Sequence, residues 1–322
     1  MYKNKTIVVI IPAYNEEKNL GHVIDNIPPF VDKVIVVNDG SNDGTEKIAR
    51  EKGAVVVTHP INKGVGAAFH SGIKAALMND GDVIVNIDAD GQFNPKDILV
   101  LINPIIKNNL DFVTASRFKD KSLIPKMPKL KIWGNKKIAF LVSLLTGKKF
   151  YDVSCGFRAY SRDTALKLTL FGKFTYTQET FLDLAFKGAN IAEIPIAIKG
   201  ERENGESRVA YSLLRYAIKT TKIIFRTFRD YKPLRFFGMV SLPFLVIGIG
   251  LEIFLISHYI FAGTFTPHKW AGFSGLGFFV LGLIFFIIGI VADMLDRIRS
   301  IQEELLYYER KREYDCHDKK YR

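Results

Sequence analysis

Short apolar runs alternate with longer, mixed segments over the first 116 residues. Residues 6–11, 31–37, 54–58, 84–87 and 112–116 are runs of strand-forming side chains, nearly continuous in their apolar character. Continuity of that kind, rather than strict alternation, predicts strands buried on both faces. Between them, residues 16–27, 45–52, 67–77 and 95–107 carry the period of helices. Repeated βα units predict an α/β, Rossmann-like, mainly parallel sheet with helices on both faces. Three of these strands run into polar residues, at Tyr14-Asn15-Glu16, at Asp39 and at Asp88 and Asp90. In an open parallel sheet ligands bind at the carboxyl ends of the strands, so these groups are expected on one edge. Further on, residues 152–160 return to strand-like sequence, 178–187 read as a helix and 192–198 as another strand.

The apolar excess lies elsewhere, in residues 236–262 and 271–292. Each stretch is long enough to cross a bilayer core of ~30 Å. The linking loop holds only Lys269 as a strong cation, whereas Arg226, Arg229, Lys232 and Arg235 precede the pair and Arg297 and Arg299 follow it. Cations concentrate on the cytoplasmic side of spans. The expected topology is therefore a multi-pass protein of the cell membrane, with both termini and the N-terminal α/β domain cytoplasmic. Glu252 is the one strongly ionisable residue inside a span. At 1.5 Å per residue it lies about 25 Å beyond Arg235, and it reads as snorkelling or pairing near the far interface.

Residues 207–229 have a helical period that gathers Arg215, Lys219, Lys222, Arg226 and Arg229 on one side, opposite Leu213, Leu214, Ala217, Ile224, Phe225 and Phe228. That is a basic amphipathic helix suited to a headgroup layer. The tail from 293 to 322 is charged on every face and reads as a solvated or self-associating helix. The expected division is an α/β domain over 1–206, interface helices over 207–235, two spans over 236–292 and a charged tail over 293–322.

Composition sharpens the choice of partner. A formal charge of +12 and a pI near 9.5 call for an anionic one: nucleic acid, an anionic membrane or a phosphorylated substrate. A basic helix leading straight into a span argues against nucleic acid. The two cysteines, Cys155 and Cys316, have neither metal-ligand spacing nor a disulfide framework. The first residues run directly into a strand, so no cleavable signal peptide is expected. Residues 117–150, with Pro125, Pro128 and many lysines, read as a basic loop, or as a mobile lid over an anionic substrate.

Asp88-Ala89-Asp90-Gly91-Gln92 offers hard oxygen ligands from Asp88, Asp90 and Gln92 at a strand terminus. Such a set suits Mg²⁺ or Mn²⁺ holding a diphosphate. Asn62-Lys63-Gly64-Val65-Gly66-Ala67-Ala68 invites comparison with a dinucleotide fingerprint, but Phe69 stands where the third glycine belongs and no Walker sequence occurs. Its glycines are better read as opening a helix and letting backbone approach a ligand.

Taken together, Val9-Ile10-Ile11-Pro12-Ala13-Tyr14-Asn15-Glu16, Val37-Asn38-Asp39-Gly40-Ser41, Asp88-Ala89-Asp90-Gly91-Gln92 and Ser116-Arg117-Phe118 occur in the order seen in inverting family 2 glycosyltransferases of GT-A fold. Within that family the chain is most similar to the polyprenyl-phosphate glycosyltransferases, the group holding dolichyl-phosphate mannose synthases and polyisoprenyl-phosphate glucosyltransferases. Gly156-Phe157-Arg158 and Arg202-Glu203-Asn204-Gly205-Glu206-Ser207-Arg208 match further stations of the group, and the two-span tail resembles the bacterial glucosyltransferase arrangement.

The resemblance implies transfer of a hexose from a UDP- or GDP-linked sugar to a polyprenyl or dolichyl phosphate in a lipid bilayer. Pro12, Ala13, Tyr14, Glu16, Asp39 and Lys63 would hold the nucleotide sugar, with Asp88, Ala89, Asp90, Arg202 and Arg208 at its diphosphate. Asp88, Asp90, Arg117 and Arg202 would be the catalytic groups, and Arg117, Lys131 and Asn135 would meet the acceptor phosphate. Lys131 and Asn135 depart from the family's Arg and Ser, and lysine lacks the bidentate fork. Homo-oligomers, if formed, would associate through the spans or the C-terminal helix. Chemistry points the same way. A phosphomonoester's second pKa is about 6, so the acceptor is already anionic and needs no dedicated general base. Other readings are a processive polysaccharide synthase, for which the Q-x-x-R-W motif is missing at Gln178 and Gln302, and a membrane-anchored binding protein on the same fold.

Overall fold

A computed structural model describes residues 1–169, 176–200 and 213–320, with side chains except those of 213–217 and 316–320. In chain order the elements are β1 (Ile7–Ala13), α1 (Glu17–Asp25), β2 (Lys33–Asn38), α2 (Thr45–Glu51), β3 (Val55–Thr58), α3 (Val65–Met78), β4 (Val83–Asn86), α4 (Ile98–Asn108), β5 (Phe112–Ser116) and α5 (Lys129–Thr146). There follow β6 (Arg158–Ser161), α6 (Arg162–Lys167), α7 (Thr177–Phe186), β7 (Ile191–Pro195), α8 (Leu213–Tyr231), α9 (Pro233–Ala262) and α10 (Lys269–Lys320).

The strands form one sheet in the order β3-β2-β1-β4-β6-β5-β7. All neighbours pair in parallel except β6, which is antiparallel to both β4 and β5. Alternate residues of β1 serve two cores. Val8 and Ile10 pack with Phe69, Ile73, Ala139, Val142 and Phe181 of α3, α5 and α7. Ile7, Val9 and Ile11 pack with Leu20, Val23, Ile98, Leu101 and Ile102 of α1 and α4. A strand covered on both faces can hold almost nothing but apolar residues, which is why the runs in the sequence are continuous.

Two features depart from expectation. Residues 152–157 are irregular, and only Arg158–Ser161 form a strand there, running against its neighbours. Arg158, fully buried, donates from Nε to the Cys155 carbonyl (2.7 Å) and from a terminal nitrogen to the Val153 carbonyl (3.1 Å). Its guanidinium lies 5.1–5.6 Å from the rings of Phe112, Tyr176 and Phe181. The charge is held by carbonyls and aromatic faces, so this arginine is part of the core rather than of a ligand site. The second departure is α5, an 18-residue helix inside the stretch read as a basic loop or mobile lid. Only Asn135, Ala139 and Val142 are buried along it. So thin a buried stripe, with apolar residues also on the outer face, hides the helical period.

Contacts divide the chain into two compact units, Met1–Ile224 with Leu305–Arg322, and Phe225–Glu304. In the second, α9 and the first part of α10 are both long and apolar enough to cross a membrane. They meet through small residues. Ser241 Oγ donates to the Gly282 carbonyl (2.7 Å), and a side chain at Gly248 would lie 2.6 Å from the Phe279 backbone nitrogen. Close approach over small residues is the usual basis of helix pairing without water. Glu252 is half-buried, with a carboxylate oxygen over Gly275 of α10. α10 does not stop at the expected end of its apolar run. Its last turns belong to the first unit, where Tyr307 donates to Asp163 (2.6 Å), Arg310 donates to the Leu166 and Leu168 carbonyls (3.0 and 2.8 Å), and Tyr314 is buried. The tail that read as solvated or self-associating is thus packed on α6 over this length. Charge on every face concealed the contact, since tyrosine rings and an arginine make it.

Candidate active site

Registers fix which groups share an edge. Ala13 of β1 pairs with Asn38 of β2, and Asn38 with Thr58 of β3. The chain therefore emerges from one row of backbone at Tyr14, Asp39 and His59. Asn86 of β4 pairs with Ile10 of β1, which puts Asp88 and Asp90 at the same end. β5 runs parallel to β7 and antiparallel to β6, which is antiparallel to β4, so Arg117 after β5 and Lys199 after β7 also leave at this edge. Between β1 and β4 the order of connections reverses, the position where open α/β sheets place their ligands.

The loops after β1 and β2 are laced together. Asn15 N–H donates to Ser41 Oγ (2.9 Å), Asn42 N–H to Asn15 Oδ1 (2.9 Å) and Glu16 N–H to Thr45 Oγ1 (2.9 Å). Asn19 donates to the Glu16 carboxylate (3.1 Å). Pro12 and Ala13 close β1, and Tyr14 is half-buried beyond them. Asp39 is almost fully buried, and its two oxygens accept the backbone N–H groups of Lys63 (2.9 Å) and Gly64 (2.8 Å). Lys63 therefore reaches this site through its backbone, while its side chain points to solvent. His59 was not a sequence candidate, yet its Nδ1 lies 2.7 Å from Asp39 and its Nε2 2.8 Å from Ser71 Oγ. A carboxylate only accepts, so Nδ1 carries the proton. The row Asp39–His59–Ser71 holds the carboxylate in one orientation.

At the end of β4, Asp88 is half-buried and Asp90 and Ala89 are buried. Gln92 N–H donates to Asp90 Oδ1 (3.1 Å), and the Gln92 side chain donates to the Lys199 carbonyl (3.1 Å). Lys199 N–H returns a bond to the Gln92 carbonyl (3.1 Å), clipping the loop after β7 to the acidic turn. Asp88 lies against the backbone of Gly156, where a methyl group would sit 2.6 Å from Oδ2 and 2.8 Å from Oδ1. Only glycine leaves room for this carboxylate. Tyr176 stacks on Phe69 (4.0 Å, 5°) and accepts from Asn86 (2.8 Å). Burial, and then the charge of Asp88, push its hydroxyl well above the ordinary tyrosine range. Asp88 and Asp90 bring two carboxylates and Gln92 an amide oxygen to this turn, hard donors of the kind that suits a divalent cation. Among the described residues no group of three or more His, Cys, Asp or Glu is placed to hold a metal ion by itself.

On the other side of the edge, Arg117 is held by a residue the sequence reading passed over. Its Nε donates to Asp152 Oδ2 (2.6 Å) and a terminal nitrogen donates to Asp152 Oδ1 (2.9 Å) and Ser154 Oγ (2.7 Å). Ser154 in turn donates to Asn135 Oδ1 (3.1 Å). Arg117 and Asn135 are thereby joined, and Lys131 stands one helical turn before Asn135 on α5. Asp152 is fully buried. Burial would raise its carboxyl, but the Arg117 guanidinium and its hydrogen bonds more than reverse this and hold it below the usual carboxylate range. Glu193, below it, accepts the N–H groups of Tyr151 and Asp152 (2.8 and 2.7 Å). Cys155 is pushed up to about 12 by burial and then by the Asp152 charge, so its thiol is inert. Asp152 had one sequence signal: it is the first carboxylate after Asp120. Arg202 and Arg208 lie outside the described residues.

Residues 8–168 match the model of a family described as Glycosyl transferase family 2. A UDP-N-acetylglucosamine–dolichyl-phosphate N-acetylglucosaminyltransferase of Methanococcus voltae is 37% identical over 215 residues, spanning 60% of this chain and 85% of that protein. A polyprenol monophosphomannose synthase of Mycolicibacterium smegmatis is 30% identical over 223 residues, 66% of this chain and 83% of that one. Among solved structures, the glucosyl-3-phosphoglycerate synthase of Mycobacterium tuberculosis in complex with Mg²⁺ and uridine diphosphate superposes with a TM-score of 0.56 at 23% identity, over 70% of this chain and 79% of that one. That likeness is one of fold, a GT-A-like domain with a mostly parallel sheet.

Proposed function

Starting from a chain that belongs to glycosyl transferase family 2, and is therefore a glycosyltransferase, we propose that it transfers a hexose from a nucleotide-diphosphate sugar to a polyprenyl phosphate in a membrane. One observation carries the reading: a carboxylate pair and a braced arginine leave the same edge of one sheet, in a chain that also holds two helices apolar enough to span. The dolichyl phosphate in the name of one relative and the polyprenol monophosphomannose in the name of the other support it.

In this reading the loops after β1 and β2 take the nucleoside. Glu16 accepts from a ribose hydroxyl and Asp39 from a ring N–H, with His59 and the backbone of Lys63 and Gly64 holding Asp39 still. Asp88, Asp90 and Gln92 would hold Mg²⁺ or Mn²⁺, which when bound supplies positive charge for the departing diphosphate. Arg202 and Arg208 would add to that charge. Arg117, with Lys131 and Asn135, takes the acceptor phosphate, and Asp152 and Ser154 set the direction of its guanidinium. A phosphate oxygen attacks the anomeric carbon while the bond to the diphosphate breaks, with inversion. The attacking oxygen carries no proton at neutral pH, so the residues position two anions and move no proton.

The test is a screen of UDP- and GDP-sugars against polyprenyl phosphate with the purified full chain, followed by mass analysis of the lipid. One sugar per lipid phosphate is expected. Nucleotide release with a polymeric product would move the chain to the processive synthases, and no turnover of any donor on polyprenyl phosphate would overturn the proposed acceptor.

Gly156→Ala is expected to displace the Asp88 carboxylate and lower kcat by at least about 100-fold, the scale of a 1 Å misplacement. Its unfolding temperature should stay near that of the parent; a normal rate would show that Asp88 is not needed where it stands. His59→Ala should raise KM for the nucleotide sugar about tenfold with acceptor KM unchanged, and His59→Gln, which retains a donor toward Asp39, should recover most of the loss. Equal effects of the two variants would count against the positioning role.

A further inference from the structure

The outer face of α5 is not explained by sugar transfer. Leu130, Trp133, Phe140 and Leu144 are 60–67% exposed. At 100° per residue they fall, with Lys137, within about 80° of one another, opposite the buried Asn135, Ala139 and Val142. Lys137 lies 5.7 Å from the Trp133 ring. From Lys121 to Tyr151 the chain has eight lysines and no carboxylate, and Lys126, Lys129, Lys136, Lys137, Lys148 and Lys149 are exposed.

We propose that this stripe of α5 is a lipid-docking surface of the catalytic unit, lying in the headgroup layer of an anionic bilayer. An apolar arc carrying Trp and Phe, rimmed by lysines, is the composition that partitions to that layer. Tryptophan favours the interface itself because one end of its ring is polar. A second copy is the poorer occupant. In a two-fold dimer the patch would meet itself and set lysines against lysines with no carboxylate to answer them. The inner face of α5 carries Asn135, bonded through Ser154 to Arg117. One helix thus places lipid on its outside and the braced arginine on its inside. The surface stands on exposure and charge and is independent of the transfer reading; only the kinetic arm below rests on it.

The chain has two tryptophans, so Trp270→Phe leaves Trp133 as the sole reporter. The full chain is reconstituted into vesicles of brominated phosphatidylcholine with phosphatidylglycerol. Trp133 emission should be quenched by the bromine and shielded from iodide, and both effects should weaken when phosphatidylglycerol is left out. Emission open to iodide and untouched by bromine overturns the proposal. So does shielding that grows with the protein-to-lipid ratio without bromine quenching, the sign of a second copy. In the kinetic arm, Trp133→Ser with Phe140→Ser should raise KM for bilayer-embedded acceptor about tenfold, leaving nucleotide-sugar KM and thermal stability unchanged. An unchanged acceptor KM would overturn a role in transfer, and a chain inactive from the outset would still be decided by fluorescence.

Discussion

Asp90→Ala should lower transfer of labelled sugar to polyprenyl phosphate by about 1,000-fold or more, the scale on which losing a charge-stabilising group slows such reactions. Asp90 is buried, and its Oδ1 also accepts the Gln92 N–H, so alanine removes a turn constraint together with a charge. Asp90→Asn separates the two. Its amide oxygen can still accept from Gln92, and it should melt like the parent while remaining about 100-fold or more slower. Excess chelator should inactivate the parent and leave little further to lose in either variant. Full activity of Asp90→Asn, or indifference of the parent to chelator, would remove the carboxylate from the diphosphate site.

The second large effect concerns stability. Asp152→Ala leaves the Arg117 guanidinium, mostly buried, without its bidentate partner. Breaking a buried pair from one side costs about 3–5 kcal/mol, or on the order of 10 °C in melting temperature for a domain of this size. Activity should fall with it, because Arg117 loses its direction. The double variant Arg117→Met with Asp152→Leu should recover most of the stability and none of the activity. If it recovered both, the pair would be a core device without a part in transfer. Acidity offers a second handle. The Asp152 carboxyl is held below the usual carboxylate range in the fold, against burial, by Arg117. Its contribution is therefore fully present above the unfolded-chain value and lost as pH falls through the folded one. Melting temperatures of the parent and Asp152→Asn should differ at neutral pH and converge only in acid. A gap that persisted in strong acid would place the effect in packing rather than charge.

Asp39, Asp88 and Asp90 were legible because each follows an apolar run that can only be a buried strand, and parallel strands deliver their ends to one edge. Asn135 was reached through resemblance to a family; its link to Arg117 depends on Ser154, which offers no signal of its own in the sequence. His59 and Asp152 were missed for a related reason. Each acts through a partner far along the chain, at positions 39 and 117, and side-chain pairing across strands leaves no period to read. α5 was missed because its outer face is as apolar as its inner one.

By itself, then, the order of residues determined the βα repeat, the carboxylates at the strand ends and the two long apolar helices, because hydrophobic burial imposes a local period that survives in one dimension. Only the tertiary structure decided that β6 runs backwards, that Gly156 makes room for Asp88, that Asp152 and Ser154 brace Arg117, and that the end of α10 packs on α6. Those outcomes turn on distance between remote positions, which burial constrains only after the chain has closed on itself.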